Sequence, residues 1–277
     1  METRFLADDD LDAVHATFLE AFSDYVVPIA PDRDQLGRML RQRSADLALS
    51  VGAFDGGRMA GVSATGRRGD EAYVIFTGVV PAFRGRRLAG AMFDRLLPAL
   101  AEAGVRRLSL EVIRGNDRAV AAYRRAGFVV ERDLACFTLA RDDVVPADPP
   151  DGVTVTRRAA AGWPEWRRFR DWAPSWQHAE PSIERTEGEV VLLEAVERGR
   201  AVGAAVVLVE GAVLAGLAVA PAARRRGVGS ALLAAAAAEA EPLRILNVDA
   251  SSAADAAFYP ARGARPLLVQ HEMARRV

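Results

Sequence analysis

The sequence predicts an α/β fold of two tandem domains, each a mixed, mostly antiparallel sheet flanked by helices, and three observations carry that prediction. The phrase VVPAFRGRRLAGAMF, Val79 to Phe93, returns ungapped as VAPAARRRGVGSALL, Val219 to Leu233. A second phrase, NDRAVAAYRRAGF from Asn116, returns as SSAADAAFYPARGA from Ser251, with Tyr123 answered by Tyr259 and Gly127 by Gly263 at one common separation, slightly shorter than that of the loops. Such a period is about one domain long, far beyond the roughly 20 to 50 residues of a solenoid repeat. Between the halves, ARDDVVPADPPDG (Ala140 to Gly152) carries three prolines and four aspartates and little periodicity, which reads as a linker. The expected domains are 1–140 and 153–277, joined by 141–152.

The first half opens with helical spacing over Leu11 to Ser23 and again over Arg33 to Arg43. Leu47 to Phe54, Met59 to Ala64 and Tyr73 to Val80 read as strands, and FDGGRM is the hairpin turn between the first two. A helix from Leu88 to Ala103, a strand from Arg107 to Ile113, a helix from Asp117 to Ala126 and a strand from Phe128 to Leu139 complete the half.

The second half repeats the plan. Helical spacing covers Trp163 to Trp176, where all four tryptophans and Phe169 recur every three or four residues; the stripe reads either as a core or interdomain face or as a substrate-lining wall. Strands follow at Val190 to Glu197, Ala201 to Glu210 and Val213 to Val219, then a helix from Val228 to Ala240. A strand from Arg244 to Val248, a helix near Ala253 to Tyr259 and a closing strand end the chain.

With 277 residues and 51% hydrophobic content, the chain can fill two cores. A formal net charge of −1 supplies no global attraction to nucleic acid or to anionic membranes. No apolar run reaches the length of a spanning helix, and the acidic start METRFLADDDLD has no signal-peptide core, which together point to the cytoplasm. The single cysteine, Cys136, lies in the apolar run LACFTL and reads as a buried, inert thiol. All 36 basic residues are arginine, so lysine-base and Schiff-base chemistry are excluded. His15, His178 and His271 are scattered and suggest no metal site.

In both repeats an apolar run ends near a proline, an arginine follows three residues later, and a helical pattern begins at once. A strand thus passes into a helix through a short basic loop, where free backbone N–H groups and the helix dipole favour an anion. The second loop reads Arg224-Arg225-Arg226-Gly227-Val228-Gly229, with Val219 ahead of it and Ser230 behind; the first reads Arg84-Gly85-Arg86-Arg87-Leu88-Ala89, with Val79 and Val80 ahead. On these loops and the phrases that follow them, the chain resembles the GNAT superfamily of acyl-CoA-dependent N-acyltransferases, in a tandem arrangement. The family's loop pattern is Arg or Gln, two residues, Gly, one residue, then Gly or Ala. The second loop matches throughout, whereas Arg87 stands in the first where the middle glycine belongs. The resemblance implies acetyl-CoA as cofactor, bound along these loops.

The family's second signature is met in full by Asn116, Ala119, Tyr123, Gly127 and Phe128. The resemblance gives the asparagine the cofactor arm to hold and the tyrosine the departing thiolate to protonate, a role open to a neutral phenol. The second half keeps Tyr259 and Gly263, but has Ser252, Asp255 and Ala264 at the other positions. The family also implies a bulge that splays the central strand, here Phe76 to Val80 and Leu217 to Val219. Glu111, on the neighbouring strand, is the candidate base, alongside a water chain or a purely structural role. Asp24 and Tyr25, in the loop after the first helix, are either substrate contacts or solvated loop residues.

The expected activity is acetyl-CoA-dependent transfer of an acetyl group to a primary amine of a small molecule or peptide, with Tyr123 as general acid. Two readings stay beside it: Tyr259 and the second domain as the working centre, or an acyl-CoA-binding regulatory module without turnover. Nucleic-acid and membrane partners are not expected, and the chain would be a monomer or homodimer.

Overall fold

The computed structural model describes residues 1–159 and 166–277. Two compact units make up the chain, one of residues 1–131 with 271–277 and the other of residues 132–270. Their elements follow in chain order as β1 (Glu2–Phe5), α1 (Leu11–Ala21), α2 (Arg33–Gln42), β2 (Val51–Asp55), β3 (Arg58–Arg68), β4 (Glu71–Val79), α3 (Leu88–Glu102), β5 (Arg107–Ile113), α4 (Asp117–Arg125) and β6 (Val129–Leu139). The rest are β7 (Val153–Ala159), α5 (Glu180–Glu184), β8 (Val190–Glu197), β9 (Arg200–Leu208), β10 (Val213–Val219), α6 (Val228–Glu239), β11 (Leu243–Asp249), α7 (Ala253–Phe258) and β12 (Arg265–Arg276).

In the first unit the strand order is β1-β2-β3-β4-β5, with the last residues of β12 beside β5. All pairs from β1 to β4 are antiparallel, and β4 with β5 is parallel. Helix α3 lays Met92, Phe93, Leu96 and Leu100, all at most 1% exposed, on Val51, Ala53, Ala60, Val74 and Leu108 of the sheet. Burial of each such side chain contributes about 1.5–3 kcal/mol. Helix α1 covers the other face through Val14 and Phe18, the latter edge-on to Phe76 at 4.9 Å. A Cβ at Gly78 would stand 2.9 Å from that of Ala21, so only glycine lets the end of α1 come this close to β4.

The second unit orders its strands β7-β8-β9-β10-β11-β6, with the first residues of β12 beside β6. Helix α6 is apolar nearly all round, and its alanines allow close packing of Leu232, Leu233, Ala236 and Ala237 on Ala205, Val207 and Ile245. Strand β6 enters this unit at Arg132, so residues 141–152, expected from the sequence to be a linker, belong to its body. The breakers there end the strand, but the segment is held: Val145 N donates to Arg262 O, Asp143 pairs with Arg265 at 2.9 Å, and Val144 packs on the core.

The opening strand of each unit, β1 and β7, carries too few apolar residues to stand out in the sequence. Residues 160–165, Trp163 among them, lie outside the described residues. From Trp166 onward the expected long helix gives way to 3-10 turns at Trp166–Phe169 and Trp176–His178, separated by Pro174 and followed by α5. Proline there removes a backbone donor and restricts the residue before it.

Candidate functional site

Each unit breaks its central strand at the same place. On β4 the register against β3 steps from Ala64↔Phe76 to Thr65↔Val74, leaving Ile75 as an extra residue. On β10 the step from Gly216↔Val206 to Leu214↔Val207 leaves Ala215, which aligns with Ile75 when the two loop phrases are superposed. The parallel ladders stop at these bulges: Glu71 to Val74 pair with Arg107 to Leu110, and Val213 and Leu214 with Arg244 and Ile245. Beyond the bulge the strands diverge, and a cavity opens beside each splay, about 560 Å³ in the first unit and about 350 Å³ in the second.

The loops after β4 and β10 have one backbone course. Each begins with a 3-10 turn, Pro81–Phe83 or Pro221–Ala223, and the next residue is extended, Arg84 at φ −64°, ψ 157° and Arg224 at φ −69°, ψ 157°. Left-handed residues come next at the second and fourth loop positions: Gly85 and Arg87 in one, Arg225 and Gly227 in the other, with φ between 59° and 97°. Each loop therefore places glycine at one left-handed position and arginine at the other. Arg87 does not distort the first loop. The helices that follow, α3 and α6, begin with no side-chain cap, so their first N–H groups stay unspent at the cavity. A Cβ at Gly85 or Gly227 would meet nothing within 4 Å, leaving room for a ligand group against the backbone. This uncapped, open cradle fits the phosphates of acyl-CoA.

The first arginine of each loop has another task. Arg84 Nε donates to Val79 O at 3.1 Å, Nη2 to Ala21 O at 2.9 Å, and both Nη atoms to Asp24. Arg224 does the same with Val219 O, Phe169 O and Asp171. The family resemblance gives these guanidinium groups to cofactor oxyanions, but they tie each loop to the segment across the cavity. Asp24 holds Arg84 above its ordinary range, and Arg84 holds Asp24 below its own.

A second tie follows the first in both units. Tyr25, next to Asp24, faces the side chain of Asn116, which caps α4 by accepting from Ala119 N at 3.2 Å. Trp172, next to Asp171, donates from Nε1 to Asp255 Oδ2 at 2.9 Å, and Asp255 lies on α7, whose cap is Ser252. Ser252 thus keeps the capping half of the asparagine's work. Trp172 lines the second cavity and also packs against the core of its unit, so both readings of that tryptophan have a contact behind them.

Tyr123 projects into the first cavity with its ring edge-on to Phe93 and Phe128 at 6.0 and 5.9 Å. Its hydroxyl faces Thr77, just beyond the bulge, and Thr77 Oγ1 lies 3.0 Å from Oγ of Ser63, its cross-strand partner on β3. Burial pushes the phenol up to about 12, with Thr77 pulling in the opposite direction. Tyr259 reaches the second cavity and is 5% exposed, and burial raises its phenol further. Its hydroxyl has no comparable support, because Leu217 and its cross-strand partner Ala205 stand where Thr77 and Ser63 do.

The cavities also gather Val79, Gly85, Arg87, Leu88, Ala89 and Asn116 on one side, and Val219, Arg225, Gly227, Gly229 and Ser230 on the other. Five expected residues stay outside the lining. Val80 and Val228 are core residues, 0% and 1% exposed. Arg86 stacks over Phe83 at 5.1 Å, and Arg226 pairs with Glu197. Glu111 sits on β5 one pleat below the lining residue Ile113, and the residue at the same place along β11 is Asn247, buried and bonded to Ser175 and Gln270. Cys136 is 1% exposed beside Asn247, as a buried thiol should be. Sequence patterns alone do not reveal Thr77, Ser63, Asp171 or the arginines Arg118 and Arg125 of the first cavity; only the repeated Asp-aromatic pair, Asp24-Tyr25 and Asp171-Trp172, signals any of them.

The pattern of the Acetyltransferase (GNAT) family matches residues 11–128 and again 158–264. The chain belongs to that family, and carries its pattern twice. A mycothiol acetyltransferase of Propionibacterium freudenreichii is 33% identical over 135 residues, an alignment covering 46% of this chain and 43% of that protein, so the chain spans less than half the length of that curated relative. Among solved structures, a GCN5-related N-acetyltransferase from Sphaerobacter thermophilus matches with a TM-score of 0.75 and 15% identity over 99% of this chain and 95% of that one. A tandem GNAT protein from the clavulanic acid biosynthesis pathway matches with a TM-score of 0.73 and 16% identity over 99% and 98%. These likenesses establish the fold. No helix among the described residues is long and apolar enough to cross a membrane.

Proposed function

We propose that the chain is an acetyl-CoA-dependent N-acetyltransferase for a primary amine of a small molecule or peptide, with its reacting centre in the first unit. Acetyl-CoA, when bound, supplies the thioester whose acyl group is transferred. The uncapped start of α3 and the left-handed loop from Gly85 to Arg87 would hold its phosphates, and Asn116 its arm. Tyr123, kept neutral by burial, is the proton donor for the leaving sulfur, and Thr77 fixes the direction of its hydroxyl. The amine must lose a proton before it attacks; Glu111 beneath the cavity, reached through water, is the candidate acceptor.

One observation carries the choice of unit: the Tyr123 hydroxyl has Thr77 and Ser63 behind it, while the equivalent places near Tyr259 hold Leu217 and Ala205. The second unit keeps the loop and the cavity, and in this reading holds acyl-CoA without turnover. Release of free CoA thiol, read beside calorimetric binding of acetyl-CoA, tests both statements. Tyr123→Phe is expected to lower kcat by about 10²- to 10³-fold with acetyl-CoA binding retained, and Tyr259→Phe to leave kcat unchanged. The reverse result would move the centre to the second unit, and binding without thiol release for any amine would leave a regulatory module.

A further inference from the structure

The acceptor's chemistry can be read from the rim of the first cavity. The loop from α1 to α2 crosses it as Asp24-Tyr25-Val26-Val27-Pro28-Ile29-Ala30-Pro31, with no polar side chain between Tyr25 and Asp32. Its ends are fixed: Arg84 holds Asp24, and the Pro31 carbonyl lies 2.9 Å from His15 Nε2. Between them Val26, Val27 and Ile29 are 76%, 38% and 40% exposed, and Val26 lines the cavity. A loop held at both ends yet leaving three branched aliphatic side chains in water presents a contact surface for something apolar.

Charge sets the second condition. Arg118, at the first turn of α4, also lines the cavity and acts on Asp24 through its charge. Asp24, however, is already engaged by both Nη atoms of Arg84, and Arg118 has no ion-pair partner of its own among the described residues. Two arginines and one aspartate leave this end of the cavity with a net positive charge beside the apolar lip. A polycationic acceptor meets repulsion and, among the described lining residues, no unspent carboxylate. An apolar monoamine fits the lip but leaves Arg118 unanswered. An amine with an apolar body and one carboxylate answers both.

Resting on the acetyltransferase reading above, we propose that the acceptor is a hydrophobic α-amino acid, its side chain on the Val26–Ile29 lip and its carboxylate on Arg118. The test reads binding rather than turnover, so it can fail separately from the activity. L-phenylalanine, phenethylamine and spermidine are titrated calorimetrically into the full chain saturated with CoA. Phenylalanine should bind about tenfold more tightly than phenethylamine, the effect of one charge-assisted contact, and spermidine should not bind measurably. Arg118→Gln should remove the difference between phenylalanine and phenethylamine while leaving CoA affinity intact, and Val26→Asp should weaken both. Spermidine binding as tightly as phenylalanine, no preference for the carboxylate, or an Arg118→Gln variant that loses CoA affinity instead would each overturn the proposal.

Discussion

Arg84 grips Asp24 through two hydrogen bonds of 2.5 and 2.8 Å while the same guanidinium reaches the Val79 and Ala21 carbonyls, so a residue expected to hold a ligand instead holds the site together. Removing the arginine should therefore damage the loop more than removing the aspartate does. Arg84→Ala loses the bonds to both carbonyls and is expected to destabilise by about 2 kcal/mol, at roughly 1 kcal/mol per bond. Asp24→Asn, at an exposed carboxylate, should have a much smaller effect. Because Arg84 lowers the Asp24 pKa, the pair's contribution is fully present above the ordinary carboxylate value and is lost only as pH falls through the lowered one. Thermal melts of both variants across acidic pH check the order and the sign.

Arg87 and Arg225 each occupy left-handed backbone, with φ of 59° and 61°, where glycine is the low-strain residue. Arg87→Gly and Arg225→Gly should each stabilise by up to about 1 kcal/mol, and Gly85→Ala and Gly227→Ala should destabilise by a similar amount. Chemical denaturation of the four variants measures this. A destabilised Arg87→Gly would mean that its side chain contributes more than its backbone conformation costs.

The loops, the tyrosines and the strand-to-helix order are legible in local patterns, because hydrophobic period and turn chemistry are written residue by residue; the splayed strand is legible only through the family resemblance. The role of Arg84 is not: Asp24 lies 60 residues away, and Asp171 only 53 from Arg224, so no ungapped offset aligns the two ties. Trp172 misleads for a related reason. Its spacing to Trp176 suits a helix, but Pro174 stands between them and the indole N–H is spent on Asp255. Burial of Val80, and the place of Glu111 one pleat below the cavity, depend on which face of a sheet a residue meets, which a resemblance in motif does not specify.

If Tyr123 is the acid, as proposed, Thr77 is the residue that positions it. Thr77→Val preserves shape and removes the hydroxyl that faces Tyr123, also leaving Ser63 Oγ without its 3.0 Å partner. We expect kcat to fall about tenfold with KM for acetyl-CoA little changed, a fraction of the roughly 10²- to 10⁴-fold effect of a general acid. Thr77→Ser should restore most of it. Equal losses in the valine and serine variants would assign Thr77 a packing role. A complementary gain is not expected from Leu217→Thr, since Ala205 across the ladder offers the new hydroxyl no side-chain partner.

Tyr123 should remain a neutral acid across the whole working range. Burial raises its pKa from the ordinary 10 to about 12, because the ring sits among Phe93 and Phe128 where a phenolate would be poorly solvated. The sign follows from linkage: a folded pKa above the unfolded one stabilises fully below pH 10, and that contribution is lost as pH rises from 10 towards 12. The wild type should therefore lose stability more steeply than Tyr123→Phe in that window. Tyrosinate absorbance gives the direct reading, since the difference between the titrations of the native wild type and of Tyr123→Phe isolates this one residue. That difference should stay flat to beyond pH 10, and kcat should show no fall assignable to Tyr123 below it. A difference signal appearing below pH 10 would mean the hydroxyl is solvated or faces a cation, and Tyr123 would then be poorly placed to hold a proton for the leaving sulfur.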